Sequence, residues 1–301
     1  RQRVLRQLGD SGVKADALAG HSYGELVALH LAGRYDAGTL HSLSGLRGRL
    51  MKGDGSDKGS MLAVIASFDE VENVVKEEKL DLVIANRNAP TQNVLSGATS
   101  EIVKAEKLLA ARGHKVVRLP VAAAFHSSLV AAALKPFATA LNSLPFGKPS
   151  LPVYANTTGA VYPDSAPKAR EVLAHQLAHP VEFVKLIEAM RRDGITTFVE
   201  CGAGNRLTGL VSQIAPDAKA FAIDASNGKK NGIGDLAKLL AQLSALGYAL
   251  DLSSWQGGEK GLSDCRPTPK MSVKLTGATY RSTPKKSFPA PVAVAAAQPP
   301  A

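Results

Sequence analysis

A chain of 301 residues, 45% hydrophobic and 21% charged, has the composition of a globular protein with room for one large domain or two smaller ones. No apolar run approaches the roughly 20 residues that cross a bilayer, which argues against a helical membrane protein. The net charge of +10 does not point to nucleic acid, because aromatics make up only 5% and are not interleaved with the basic residues.

The chain begins at Arg1 inside a helix-like stretch, "RQRVLRQLGDSG", and is expected to be a piece of a longer polypeptide with its N-terminal part missing. An apolar run ends at Gly20. A helix is expected over 23–32, stopped by Gly33, with Asp36 capping the next helix at 37–51. "KGDGSDKG" (52–59) reads as a loop. The strand "MLAVIA", a helix near 69–79, the hairpin "LVIANRNAPTQNVLSG", a helix at 99–112 and the strand "HKVVRLPV" follow. That β-α-β-β-α-β order predicts a ferredoxin-like subdomain over 58–123. It would be inserted into an α/β, parallel-sheet, hydrolase-like core formed by 1–57 and 124–250.

In the second core segment, helices are expected near 127–142 and 167–178. Another opens at Pro180 and carries Val184, Ile187 and Met190 on one face. Strands at 195–200 and 220–224 and helices at 205–214 and 235–246 complete the core. Residues 251–286 form an irregular basic segment, read either as a solvated linker or as an attraction for an acidic protein partner. Residues 287–301, with four prolines and six alanines, read as a semi-rigid linker to a further domain. The two cysteines, Cys201 and Cys265, suit a reducing, cytoplasmic compartment and form no metal pattern.

"GHSYGE" (20–25) raises the first chemical question. Gly20-x-Ser22-x-Gly24 is either a plain tight turn or a nucleophile elbow, in which small flanking residues expose a serine oxygen between strand and helix. In the second reading, Ser22 sits at the positive end of helix 23–32, and the Tyr23 N–H can face a developing oxyanion. A serine hydroxyl needs a base. Of His30, His41, His114, His126, His175 and His179, His126 stands out, because it follows a strand directly in a loop that opens a helix. Arg47 shares a helix stripe with Leu40, Leu43 and Leu50 and should point inward to a carboxylate, internal or from a substrate.

Six motifs carry a resemblance: "GHSYGE", Arg47 in "LRGRLM" 25 positions after Ser22, "ANRNAPTQNVLSG", "AAFHS", "HQLAHPVEF" and "FVECGAGNRLTGL". Over about residues 1–250 the chain resembles the malonyl-CoA:acyl-carrier-protein transacylase family. The similarity extends to the acyltransferase domains of polyketide synthases and polyunsaturated fatty acid synthases. The resemblance implies a cytoplasmic acyltransferase of lipid metabolism working by a ping-pong mechanism. Ser22 would be the acylated nucleophile, His126 its base, and Arg47 the partner of the malonyl carboxylate. The backbone carbonyl of Gln176 would orient His126 in a Ser-His dyad, and the Tyr23 N–H would serve the oxyanion.

The family's second oxyanion donor lies in a Gly-Gln-Gly loop upstream of the residues given, so this fragment alone is expected to be inactive. Phe125 agrees with malonyl. Ala123 replaces a histidine frequent in malonyl-selecting domains, which leaves methylmalonyl open. The substrates implied are malonyl-CoA and the phosphopantetheine of a carrier protein, with no bound cofactor or metal. Partners implied are downstream carrier domains and an upstream ketosynthase, with no nucleic acid or membrane. The rivals are an α/β-hydrolase-type esterase or thioesterase and an inactive carrier-docking module. The hydrolase order of serine, acid, histidine fits poorly, since no histidine follows His179.

Overall fold

The computed structural model describes residues 8–9, 11–52, 59–121 and 123–252; residues 53–58 of the loop expected at 52–59, the basic segment beyond 252 and the Ala/Pro-rich linker lie outside them. Strand β1 (Leu18–Ala19) runs into helix α1 (Tyr23–Leu31), which buries Leu26 and Leu29 completely. Gly33, at a φ of 81°, ends α1 as expected. Its N–H donates to His30 O and the Arg34 N–H to Leu29 O, the paired bonds of a Schellman cap. Asp36 then accepts from the Thr39 N–H at 2.7 Å and caps α2 (Ala37–Lys52).

The inserted unit forms as its pattern predicts. Strands β2 (Ser60–Ile65), β3 (Leu82–Ala89), β4 (Gln92–Gly97) and β5 (Lys115–Arg118) make an antiparallel sheet in the order β3-β4-β2-β5. Helices α3 (Phe68–Glu77) and α4 (Thr99–Ala111) cover one face, where Leu62, Val64, Val71, Leu95, Ile102 and Leu109 are buried. A capping box between Ser67 and Glu70 starts α3. Irregular register in β3 re-aims its far end, where the Val181 N–H donates to Ala85 O at 2.8 Å and the Arg87 N–H to Val181 O at 3.0 Å. This backbone stitch ties the subdomain to the core.

The rest of the core departs from the sequence pattern in detail. The helix expected at 127–142 divides into a 3-10 turn (Ser128–Ala133) and α5 (Leu134–Ser143). After β6 (Val153–Tyr154) and α6 (Ala166–His175), the helix expected from Pro180 starts only at α7 (Phe183–Arg192), because the stitch to β3 holds Val181 extended. The buried face of α7 is Phe183, Leu186, Ile187 and Met190, with Val184 only half-buried. Strand β7 (Thr197–Glu200), α8 (Arg206–Ile214), β8 (Lys219–Ala222) and α9 (Gly232–Ala245) follow; α9 starts earlier than expected because Asn231 caps it.

Among the described residues, the parallel core pairing comes as two pieces, β1 with β6 and β7 with β8. A cavity of about 490 Å³ separates them, lined by Leu18, Ala19, Val27, Phe183, Phe198 and Val199 among others. No helix among the described residues is long and apolar enough to cross a membrane.

Candidate active site

Ser22 caps α1 with φ 48° and ψ −110°, backbone values that a side-chain-bearing residue holds only under constraint, at a cost of order 1–3 kcal/mol. Burying Leu26 and Leu29 of the same helix offsets that, at roughly 2 kcal/mol each. Of the two glycines in the motif, only Gly20 is sterically required. A Cβ there would lie 2.0 Å from the Gly24 carbonyl carbon, whereas a Cβ on Gly24 meets nothing within 4 Å. The Tyr23 N–H finds no acceptor among the described residues and stays free at the positive end of α1.

His126 is brought to Ser22 from 104 residues away, with its Nε2 3.0 Å from Ser22 Oγ. Its own φ is 58°. On the other edge of the ring, Nδ1 lies 2.9 Å from Gln176 O and 3.1 Å from His179 O. Two carbonyl oxygens can only accept, so Nδ1 carries the hydrogen and Nε2 presents a lone pair to the serine hydroxyl. Burial, then the nearby Arg47 charge, push the imidazole down to about 4, outweighing the two carbonyl contacts. A neutral ring that can take a proton is therefore the resting state at neutral pH.

Arg47 is 8% exposed and donates from Nη2 to Ser22 Oγ at 3.1 Å. Of the two partners expected for it, an internal carboxylate is not found: among the described residues none forms an ion pair with Arg47, and its buried Nε has no partner. Burial lowers its pKa, and the charge of Glu25 only partly opposes this. Gln176 contributes more than its carbonyl, because its Nε2 also donates to Ser22 O at 2.6 Å. Phe125 is half-buried where the helical core meets Met61, Ala85 and Val94.

The rings of other candidate histidines are engaged elsewhere: His30 Nδ1 bonds Tyr35 O at 2.8 Å, and His179, whose carbonyl touches His126, stacks its ring on His175. No group of His, Cys, Asp and Glu among the described residues could hold a metal ion.

Sequence reasoning missed several neighbours. Asn156, fully buried, accepts from the Ser22 N–H at 2.6 Å and donates to Gly20 O at 2.5 Å. Glu25, also fully buried, accepts on Oε1 from the Tyr162 hydroxyl at 2.5 Å and the Asn156 N–H at 3.3 Å. Its burial pushes the carboxyl up to about 7 against those bonds. His21 Nε2 lies 2.7 Å from Asn88 Oδ1 of β3, and its ring meets Phe183 edge-on. The motif "GHSYGE" contained Glu25 and His21, but nothing in it named their partners.

An acyl-transfer enzyme is the class that this scaffold and the Ser22–His126 pair define. The chain belongs to the acyl transferase domain family, which it matches over residues 4–233. It is 38% identical over 221 residues to the polyketide biosynthesis malonyl CoA-acyl carrier protein transacylase PksC of Bacillus subtilis, covering 72% of this chain and 75% of that protein. With one subunit of the polyunsaturated fatty acid synthase of Thraustochytrium sp. it shares 29% identity over 286 residues, covering 92% of this chain but 10% of that larger protein. Among solved structures, the acyltransferase domain from the second module of the salinomycin polyketide synthase superposes with a TM-score of 0.77 at 29% identity. That match covers 88% of this chain and 62% of the other.

Proposed function

We propose that the chain transfers malonyl from malonyl-CoA to the phosphopantetheine thiol of an acyl carrier protein through an ester on Ser22. One observation carries the reading: Ser22 Oγ lies between a neutral imidazole at 3.0 Å and a buried guanidinium at 3.1 Å that has no carboxylate partner among the described residues. His126 Nε2 takes the hydroxyl proton as Oγ attacks the thioester carbon. The oxyanion faces the Tyr23 N–H, the carbon–sulfur bond breaks, and the CoA thiolate leaves with the proton from His126. The carrier thiol then gives its proton to His126, attacks the ester, and returns the serine hydroxyl. Arg47 pairs with the distal carboxylate of the acyl group, a charge-assisted contact that an acetyl group cannot make.

The relatives support the substrate and the setting. One is named a malonyl CoA-acyl carrier protein transacylase, and another belongs to a fatty acid synthase and is matched by this chain over a tenth of its length. Carrier domains and a ketosynthase in the same assembly are the partners proposed, with a cytoplasmic setting and no resident cofactor. The packing of Phe125 beside His126 is proposed to favour malonyl over methylmalonyl. The hydrolase reading is not favoured, because His126 Nδ1 faces two carbonyl oxygens in place of a triad carboxylate. The test is to incubate the full-length protein with malonyl-CoA and a phosphopantetheinylated carrier protein. Malonyl-carrier should accumulate with little free malonate, whereas steady malonate release without a carrier would overturn the proposal.

A further inference from the structure

The strained backbone of Ser22 needs a restraint, and residue 156 supplies it. β1 and β6 pair in parallel through Leu18–Val153 and Ala19–Tyr154, and continuing that register brings His21 beside Asn156. There the backbone ladder stops. The Asn156 N–H turns away to Glu25 Oε1 and its C=O accepts from the Glu182 N–H at 2.8 Å. Its side chain takes over: Oδ1 accepts from the Ser22 N–H and Nδ2 donates to Gly20 O, at 2.6 and 2.5 Å. One planar amide thus replaces the two ladder bonds that a neighbouring strand would have made on either side of His21.

A carboxamide suits this place because one donor and one acceptor are needed at fixed separation. Aspartate, of the same shape, offers only acceptors when ionised and would face the Gly20 carbonyl with negative charge. Glu25 closes the circuit. It stands one turn after Ser22 on α1, and its Oε1, held also by the Tyr162 hydroxyl, fixes the Asn156 backbone. The bond to Oδ1 also occupies the Ser22 N–H, leaving the next amide, that of Tyr23, as the free donor.

We infer that Asn156 is a positioning residue for the nucleophile, acting by holding the Ser22 peptide so that Oγ faces His126 and the Tyr23 N–H faces the reacting carbonyl. This rests on the reading of Ser22 as the acylated residue. The experiment compares the full-length parent with Asn156→Ala and Asn156→Asp. It measures the rate of Ser22 acylation by malonyl-CoA, and separately malonyl-CoA affinity in a Ser22→Ala background. A misplaced nucleophile loses rate without losing ligand, so acylation should slow roughly 100-fold in both variants while affinity stays within about threefold.

An acylation rate within about threefold of the parent in Asn156→Asp would overturn the inference. So would affinity falling in step with rate, which would mark a general structural role. If the parent itself fails to acylate at Ser22, the underlying functional reading falls, and that outcome is separate from either variant result.

Discussion

The Arg47 guanidinium and the His126 imidazole meet at a single atom, Ser22 Oγ, 3.1 Å from one and 3.0 Å from the other. A fixed cation thus stands beside the group that must accept a proton. Burial is the larger cause of the low His126 pKa, and Arg47 adds to it. The base is competent only when neutral, so activity should fall as pH falls through the imidazole pKa. The acid limb of kcat/KM is expected near pH 4, well below the ordinary histidine value. Once a substrate carboxylate neutralises Arg47, the limb of kcat should lie at higher pH than that of kcat/KM. Coincident limbs near the ordinary histidine value would contradict this.

Arg47→Ala should change selection more than fold. With the cation gone, malonyl loses its ion pair and acetyl no longer leaves a buried charge unmatched. The malonyl-to-acetyl ratio of kcat/KM is expected to fall at least tenfold, about 1.4 kcal/mol, read in competition assays on the full-length protein. An unchanged ratio would remove Arg47 from selection.

Glu25 and His126 give stability opposite pH slopes. The folded Glu25 carboxyl, at about 7, keeps a proton that the unfolded chain loses near 4.5. Its contribution is full below that lower value and is lost as pH rises toward 7. His126, at about 4 when folded and 6.5 when unfolded, contributes fully above 6.5 and loses that contribution as pH falls to 4. Glu25→Gln keeps the acceptor for Tyr162 and removes the first slope. Its stability relative to the parent should rise across pH 4.5 to 7, by about 3 kcal/mol in all. Denaturant titrations at several pH values read this directly; a difference independent of pH would contradict it.

The two glycines of the elbow should behave oppositely. Gly20→Ala drives a methyl into the Gly24 and Glu25 backbone, where nothing can yield, and should abolish soluble folded protein. Gly24→Ala enters open space on a helix and should raise stability by up to about 1 kcal/mol, visible as a higher Tm. Equal effects would mean that the elbow is looser than described.

What the sequence revealed and what it hid have a common physical root. Ser22, Arg47 and His126 were legible because each sits where local pattern is unusual: a glycine-flanked serine before a helix, a cation in an apolar stripe, a histidine at a strand end. Asn156 carries no local signal, because its role comes from the parallel register of β1 and β6, and it lies 134 positions from Ser22. α7 starts at Phe183 and not at Pro180 for the same reason, since local helix signals there yield to backbone bonds with β3. For Arg47, local pattern leaves open whether the partner carboxylate is internal or comes from a substrate. Burial cost demands a partner, and only the fold shows that no described side chain provides an ion pair.

The most direct measurement is peptide mapping by mass after rapid mixing of the full-length protein with malonyl-CoA and acid quench. A malonyl ester is expected only on the peptide containing "GHSYGE", absent in Ser22→Ala and formed far more slowly in His126→Ala. An adduct that survives in Ser22→Ala, or that maps to another residue, would contradict the assignment of Ser22 as the nucleophile.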